Sequence, residues 1–589
     1  MCGIFGYVGS KRNAPEIILA GLKLLEYRGY DSWGICVNKD GKISIDKHTG
    51  KIGNATVNLP PSFIGCGHTR WATHGGVTDI NAHPHKDCTG SIAVLHNGIV
   101  ENYLELKKEL IQKKHTFISQ TDTEIIAHLI EESMRTTLSP LEAVRKAFHL
   151  LEGRNAVIAL FAQANMIVVV KNGSPIVLGY GKNERFLASD APAILPHTKR
   201  VVFLEDNQIA TLDSKDTTIY DAASGKKVTP RIHTLTWKVE QAEKGDYPHF
   251  LLKEIMEQGR TLADVVNQDK SVIEKLASAI KDSFGTYVVG CGTAGHACRA
   301  ATYIFSLIAK KHANFCVGSE FSYFEHFLTK DSLLIAASQS GETADTLEAV
   351  QAARRHGAKV AALVNALGST LEREADMTVY LKAGPEKAVL STKAFSAKLA
   401  VFYLLAYTLI GKYEQGRNHL LQTADDVQHM LGDTTLHDTL RSIANKISKK
   451  NDLYILGRGI SFPIALEAAH KIKEASYIHA EGFAGGEPKH CEISLIEKGT
   501  PTLVFVPKDE TERAILSNAM EFKSRGALII GISPTRHDVF DHWIQVPDAG
   551  ITSSILHVIP AQLLAYYLAL QRGTDPDKPR NLAKSVTVK

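Results

Sequence analysis

Cys2 stands directly behind the initiator methionine in Met1-Cys2-Gly3-Ile4-Phe5-Gly6. With Met1 removed, one residue would carry both a thiol and a free α-amine. A thiol near its ordinary pKa of about 8.5 is little ionised at neutral pH and needs a base. An α-amine, with a pKa of roughly 7.7–8.0, can serve as that base. Taken alone, the same residue also reads as an inert small hydrophobe.

A second chemical signature is Ser338-Gln339-Ser340-Gly341-Glu342-Thr343, which follows the apolar run Leu333–Ala337 and opens a helical pattern to about His356, with Gly357 as a natural stop. In an open parallel sheet, ligands sit beyond the carboxyl ends of the strands. An ordinary N-cap needs one hydroxyl; three hydroxyls and an amide at a helix N-terminus predict a phosphate cradle. Gly290-Cys291-Gly292-Thr293-Ala294-Gly295 matches G-x-G-x-x-G, but residues 308–316 lack the acid a dinucleotide site needs. His296 stands where a P-loop requires lysine, so these glycines read as a tight turn beside the same ligand.

Glu467, Lys471 and Glu474 fall on one stripe of a helix, opposite Ile464, Ala468 and Ile472, the usual pattern of a solvated face. Lys584, in Asn581-Leu582-Ala583-Lys584-Ser585, belongs by default to a frayed terminus. His68, His74, His83, His85 and His96 fit neither H-E-x-x-H nor a closed zinc set, and Pro84 between two of them indicates a loop. Neither a metal nor a cofactor is expected.

The elements that must position these residues come from 589 residues, enough for three or four domains. A 44% hydrophobic, 22% charged composition is that of a soluble globular protein. The net charge of +4, without a basic block interleaved with aromatics, argues against nucleic acid. Eight scattered cysteines with no C-x-x-C pair fit a reducing, cytoplasmic setting. No uninterrupted apolar run reaches 18 residues, so no membrane span is expected; Ala400–Ile410 reads as a core helix. Residues 1–235 read as α+β, with short strands such as Ile92–Leu95 and Ala156–Phe161 and helices at Glu16–Glu26 and Glu124–Met134. A charged segment from Gln241 to Asn267 reads as a linker. Beyond it apolar strands alternate with helices, predicting parallel sheets covered on both faces. Two rounds correspond at an offset of about 167 residues, Gly290-Cys291-Gly292 matching Gly457-Arg458-Gly459, which indicates an internal duplication. The second copy has Pro507-Lys508-Asp509-Glu510 in place of the hydroxyl loop, so only the first is expected to hold phosphate.

Several segments together resemble the glutamine–fructose-6-phosphate aminotransferase family: Met1–Ile4, Leu25–Ser32, His68–Gly75, His96–Gly98, Thr121–Glu124, Ser338–Thr343, Ser391–Phe395, Lys473-Glu474 with Tyr477–Glu481, and the tail Pro579–Val588. The resemblance runs from residue 2 to the C-terminus. It implies an α+β N-terminal-nucleophile glutaminase domain (2–217), a linker (218–274), two α/β doubly wound sugar-isomerase (SIS) domains (275–415 and 444–579) and a catalytic tail (580–589). By the same resemblance Cys2 attacks the glutamine amide, Asn97 and Gly98 form the oxyanion hole, and Arg28, Arg70, Trp71, Thr73, His74 and Asp122 line the glutamine site. Thr121-x-x-Glu124 is also a capping box. Thr293, Ser338, Gln339, Ser340 and Thr343 resemble phosphate contacts, and Lys584 the lysine that forms a Schiff base with the ketose. Glu474 resembles the group that moves a proton between C1 and C2, His490 the ring-opening histidine and Lys471 a stabilising cation. The implied reaction makes glucosamine 6-phosphate and glutamate from glutamine and fructose 6-phosphate, the first step of amino-sugar synthesis, with ammonia passing through an internal channel. A homodimer is expected.

Four positions depart from the family pattern. Ala294 stands where a serine is usual, Trp33 is expected to crowd the glutamine pocket, and Cys491-Glu492 replaces Gly-Pro after His490, where the glutamate could pair with the histidine. These leave open a related aminotransferase acting on another ketose phosphate. Other amidotransferases would need an S-G-G-x-D loop or an acidic pair before a pyrophosphate loop, and a sugar-phosphate-binding regulator would need a helix-turn-helix; none is present.

Overall fold

The computed structural model describes residues 2–213, 216–235 and 243–587. Met1, the start of the expected linker segment at Gln241 and the tail residue Val588 lie outside the described residues. The chain forms two compact units, one comprising the N-terminal part to Glu243 together with the residues from Ala583 on, the other Lys244–Leu582.

In the first unit two antiparallel sheets pack face to face. The eight-stranded sheet has Gly3–Gly9, Ile64–Arg70 and Ser32–Lys39 as neighbours; the seven-stranded sheet is centred on Met166–Asn172, Asn155–Phe161 and Ile92–Gly98. Between them Ile4, Val8, Cys36 and Cys66 meet Leu95, Ile158, Leu160 and Val169. Helix Ala14–Leu25 buries Ile18 and Leu22 against the outer face of the first sheet, where Phe5, Trp33 and Ile35 point. Helices Glu124–Met134 and Pro140–Phe148 cover the outer face of the second. Strands in the two middle layers are buried on both sides, which is why they read as apolar runs rather than alternating patterns.

Pairing of Gly3 with Thr69 puts the start of one central strand beside the end of its neighbour. Cys2 therefore lies next to Arg70 and Trp71, and the same end of the sandwich receives Asn97 and Gly98 from the other sheet.

The second unit holds two five-stranded sheets, both entirely parallel among the described residues. In the first, strand Gly285–Gly290 lies between Asn314–Val317 and Ser332–Ser338, with Lys359–Val364 and Met377–Tyr380 beyond. In the second, Asp452–Gly457 lies between His479–Ala484 and Pro501–Phe505, followed by Leu528–Ser533 and His542–Gln545. Each sheet thus has the order second–first–third–fourth–fifth, whose switch point lies between the first and third strands. The duplication extends to the turns: Gly292 and Gly459 have φ of +52° and +57°. Gly290 and Gly457 let the following helix press onto its strand, since a Cβ there would lie 2.9 Å from the Ala294 carbonyl carbon and 2.0 Å from the Ser461 oxygen.

One continuous apolar core joins the two copies. Helices Lys393–Leu409 and Ser553–Arg572 run through it, buried nearly all round. By length and composition Gly550–Arg572 could cross a membrane, but 94% of its apolar window is buried within the protein, which marks a core helix.

The segment 218–274 is not a linker throughout. Strand Thr217–Asp221 pairs in the seven-stranded sheet, and helices Phe250–Met256, Gln258–Val266 and Lys270–Asp282 place Leu251, Leu262, Val265 and Ile273 in the core of the second unit. Its charge is not all on outer faces: Lys253 and Glu254 are buried, Glu254 accepting from the Lys387 and Ala388 amides, so composition alone misread packed helices as a connection.

Gly457→Ala is expected to destabilise the second unit by about 1–3 kcal/mol through overpacking against backbone. Gly432→Ala, at an exposed helix end with nothing within 4 Å of the new Cβ, should be neutral or stabilise by about 0.4–1 kcal/mol. Urea denaturation of both variants measures the contrast.

Candidate active sites

Cys2 in the first unit is held by several donors. The Trp71 amide donates to Cys2 Sγ at 3.2 Å, while Arg28 Nε and Asn97 Nδ2 donate to the Cys2 carbonyl at 3.2 and 3.0 Å. Burial pushes the thiol's pKa up, and the Trp71 amide, Arg70 and Arg28 work against that rise. The thiol therefore needs a base, as its sequence position implied. Arg28 is fixed in turn by Asp190 at 3.1 Å.

His68, buried behind Asn97, sets the orientation of that amide. Burial drives its pKa down to about 3, so the ring is neutral. His68 Nε2 lies 3.1 Å from both the His96 carbonyl and Asn97 Oδ1. Those oxygens only accept, so Nε2 carries the hydrogen, and Asn97 must turn its NH2 toward Cys2. His96 is neutral too, its pKa lowered by burial; its Nε2 donates to Asn155 at 2.8 Å and its Nδ1 accepts from Thr123 at 3.0 Å. Gly98, with φ +133°, could not be another residue, because a Cβ would lie 2.1 Å from the Arg154 oxygen.

Around this pair Arg70 donates to the carbonyls of His74, Gly75 and Gly76, shaping the loop that carries Thr73 and His74. Thr73 is exposed and His74 packs edge-on to Tyr103. Asp122 is buried and accepts from the Val100 amide at 2.9 Å. The capping box does not form: helix Glu124–Met134 begins after Thr123, Thr121 Oγ1 bonds His85 at 3.1 Å, and Glu124 reaches back to the Ile118 and Ser119 amides. Trp33 does not crowd the cysteine side of the sheet. Strand alternation turns it outward with Ile35 and Val37 under helix Ala14–Leu25, where it packs on His48.

At the switch point of the first copy in the second unit, the loop 338–343 forms a braced cradle. Gly341 turns with φ +68°, its amide donates to Ser338 Oγ at 3.0 Å, and the Ser338 and Thr343 hydroxyls lie 3.1 Å apart. The Thr343 hydroxyl caps no helix amide, which leaves it to the cradle rather than to an N-cap. Ser340 Oγ accepts from the Glu342 amide, the Gln339 carbonyl accepts from Asn365 and Ala366, and buried Glu342 holds Thr370. These contacts fix a ring of polar atoms over the N-terminus of helix Ala344–Arg355.

The stripe Glu467, Lys471, Glu474 is not solvated. Glu467 and Lys471 are 0% and 1% exposed, facing helix Gly292–Ile304 of the other copy. Thr293 Oγ1 donates to Glu467 at 3.1 Å and His296 Nδ1 lies 2.8 Å from the same carboxylate. Lys471 bridges Glu467, at 3.7 Å, and Glu474, which His470 Nε2 also approaches at 3.1 Å. Burial would push the Glu474 carboxyl up, but Lys471 and His470 hold it down to about 2. Burial would likewise lower the Lys471 pKa; Glu474 and Glu467 raise it, so the lysine stays charged. Glu467, His296 and His470 were missed as site residues in the sequence. The i, i+4 spacing of His470 and Glu474 was the available signal, but it does not distinguish a buried face from a wet one.

Two further expected residues are His490 and Lys584. His490 is exposed in a short 3-10 turn at Pro488–His490, and among the described ion pairs it has none with Glu492. Lys584 is half-buried and falls in the segment grouped with the first unit. The tail before it is anchored on the second unit, where Asp577 accepts from the Phe250 and Leu251 amides at 2.9 and 2.8 Å and the Arg580 amide donates to Tyr477.

Comparison with known proteins adds an independent finding. A family profile described as SIS domain matches residues 280–408 and 446–572, and one described as glutamine amidotransferase domain matches 68–196. The glutamine–fructose-6-phosphate aminotransferases (isomerizing) of Thermococcus kodakarensis and Pyrococcus horikoshii are 44% and 43% identical to this chain, each over the full length of both proteins. The C-terminal domain of glucosamine-fructose-6-phosphate aminotransferase from Francisella tularensis superposes with a TM-score of 0.53 at 31% identity, covering 57% of this chain and all of that one.

Two outcomes are expected from the geometry. Gly98→Ala should lower glutamine hydrolysis by about 10²-fold or more, because the Cβ clash with the Arg154 carbonyl shifts the backbone beside Asn97 and Cys2, while sugar-phosphate binding measured by calorimetry is retained. Lys471→Met leaves Glu474 buried without its main counter-charge, so its carboxyl rises from about 2 toward and past the ordinary carboxylate range. The acid limb of ketose-phosphate turnover should then move to higher pH, with the glutamine-hydrolysis profile unmoved.

Proposed function

The chain belongs to the glutamine–fructose-6-phosphate aminotransferase (isomerizing) family, and on that footing we propose that it moves the amide nitrogen of L-glutamine to fructose 6-phosphate, giving glucosamine 6-phosphate and glutamate. What carries this reading is full-length likeness to relatives of that name, with a donor-ringed N-terminal thiol in one unit and a hydroxyl cradle beside a buried acid–base cluster in the other. A related enzyme for another ketose phosphate is not favoured by those relatives.

In the proposed first half-reaction the Cys2 α-amine takes the thiol proton and the sulfur attacks the glutamine side-chain carbonyl. The tetrahedral oxyanion is met by Asn97 Nδ2 and the Gly98 amide, ammonia leaves, and water cleaves the thioester to glutamate. Arg28, Arg70, Trp71, Thr73, His74 and Asp122 hold the glutamine. Asn97 is ready for this role because neutral His68 already points its NH2 toward Cys2.

In the second half-reaction Thr293, Ser338, Gln339, Ser340 and Thr343 hold the phosphate, and His490 assists ring opening. The Lys584 amine condenses with the C2 carbonyl and releases water, ammonia replaces the lysine on that carbon, and Glu474 carries a proton between C1 and C2. A carboxylate held at about 2 is a weak base near neutral pH. Lys471 therefore sets the basicity of Glu474 as well as serving as a stabilising cation. A homodimer in the cytoplasm completes the proposal; eight thiols without a disulfide agree with a reducing compartment.

Cys2→Ala should abolish glutamine-driven synthesis and keep sugar-phosphate binding. Lys584→Ala should spare glutamine hydrolysis and abolish product. Coupled product assays with fructose 6-phosphate and other ketose phosphates read both; loss of both activities in each folded variant would overturn the division of labour.

A further inference from the structure

A cluster in the glutaminase unit takes no part in either half-reaction. Cys88 lies in the turn after strand His85–Lys86, His115 in the loop after helix Tyr103–Gln112, and His128 and Glu131 one turn apart on helix Glu124–Met134. One ligand atom from each converges within 4.8 Å of the others; the two histidines and Glu131 are buried and Cys88 is at the surface. His115 Nδ1 and His128 Nδ1 are 3.3 Å apart, Cys88 Sγ is 3.6 Å from each, and Glu131 Oε2 is 3.1 Å from the first and 3.3 Å from the second.

These separations are the edges of a coordination tetrahedron. With Zn–N and Zn–O near 2.0–2.1 Å and Zn–S near 2.3 Å, tetrahedral angles put nitrogens about 3.3 Å apart, nitrogen and oxygen about 3.3 Å, and nitrogen and sulfur about 3.6 Å. The opposite side of each imidazole faces a carboxylate, His115 Nε2 meeting Glu132 at 2.9 Å and His128 Nε2 facing Glu124 at 3.8 Å. With the ring hydrogens on Nε2, both Nδ1 lone pairs point at one another and at a carboxylate oxygen in a buried space. A cation between them removes that repulsion, and carboxylates behind metal-binding histidines are the usual orienting partners.

We propose that Cys88, His115, His128 and Glu131 bind one structural Zn2+. Cys88 gives up its thiol proton to solvent on binding, and thiolate, carboxylate and Zn2+ together are neutral. Four protein ligands close the site, which marks it as structural rather than catalytic. It ties three chain segments together on both sides of Thr121-Asp122-Thr123, the turn that holds His85, the Val100 amide and His96. The expectation of no metal considered only His68, His74, His83, His85 and His96, none of which belongs to this set.

The test is zinc content of the tag-free full-length enzyme by plasma mass spectrometry after gel filtration against a weak chelator, with Co2+ reconstitution of the stripped protein. About one zinc per chain is expected in the wild type and in Cys2→Ala, and less than a tenth of that in Cys88→Ala and His115→Ala. Cobalt should give the intense visible bands of four-coordination with a sulfur-to-metal charge-transfer band that Cys88→Ala removes. Zinc loss should also raise KM for glutamine while sugar-phosphate binding holds. Substoichiometric zinc in the wild type, full zinc in both cluster variants, or cobalt without the sulfur band would each overturn the proposal. Cys88→Ala alters an exposed side chain, so its zinc content is readable even if His115→Ala fails to fold.

Discussion

Lys471 keeps a positive charge at 1% exposure because two carboxylates are brought to it. Taking an ion out of water costs several kcal/mol, and the cost is offset only where opposite charges and hydrogen bonds are fixed around it. Glu467 and Glu474 supply the charge; Thr293 and His296 hold Glu467 from the other copy of the duplicated domain. The acid–base stripe thus requires the two copies to meet face to face, and the apolar core that joins them is what lets them. Removing one member leaves a buried charge uncompensated, so the cluster is a structural clasp between the two copies.

The glutaminase centre solves the opposite problem. Three of its histidines are kept neutral by burial: His68 and His85 are driven down to about 3, and His83, stacked on His68 with ring centres 4.1 Å apart, well below its ordinary range. A neutral imidazole has one donor and one acceptor, and the direction of each can be dictated by a fixed carbonyl. Orientation passes from the His96 carbonyl through His68 to Asn97, and from Asn155 through His96 to Thr123, beside Asp122. Charge enters this centre through the arginines, with Asp190 anchoring Arg28.

Much of this architecture was legible in the chain. Helix Glu124–Met134 appears over its expected range, and the strand–helix alternation, the matched glycine turns and the hydroxyl loop fall where spacing placed them. These are local signals: a period, a turn residue, a run of hydroxyls. What was not legible depends on partners far away in the chain. The Glu467 stripe reads as solvated because amphipathic patterning assumes that the polar side meets water, whereas here it meets a second helix. Thr121 fails to cap because His85, brought in from another segment, competes for its hydroxyl. Trp33 reads as a pocket residue only if strand facing is ignored, and Cys88, His115 and His128 follow no short motif.

The duplication explains how unequal demands are met by equal folds. Both copies present the same crevice beyond their first and third strands, but the first keeps three hydroxyls there, whereas in the second the one hydroxyl at the helix start, Thr511, donates to Asp509. Phosphate binding wants open amides and no negative charge, while proton transfer wants carboxylates whose basicity a neighbouring cation controls. One crevice cannot satisfy both without the phosphate and the carboxylates repelling each other. Placing the cradle on one copy and the carboxylates on the first helix of the other keeps them on separate elements while the shared core holds those elements in contact. Lys471, buried between the carboxylates, is the cation that holds the Glu474 carboxyl down.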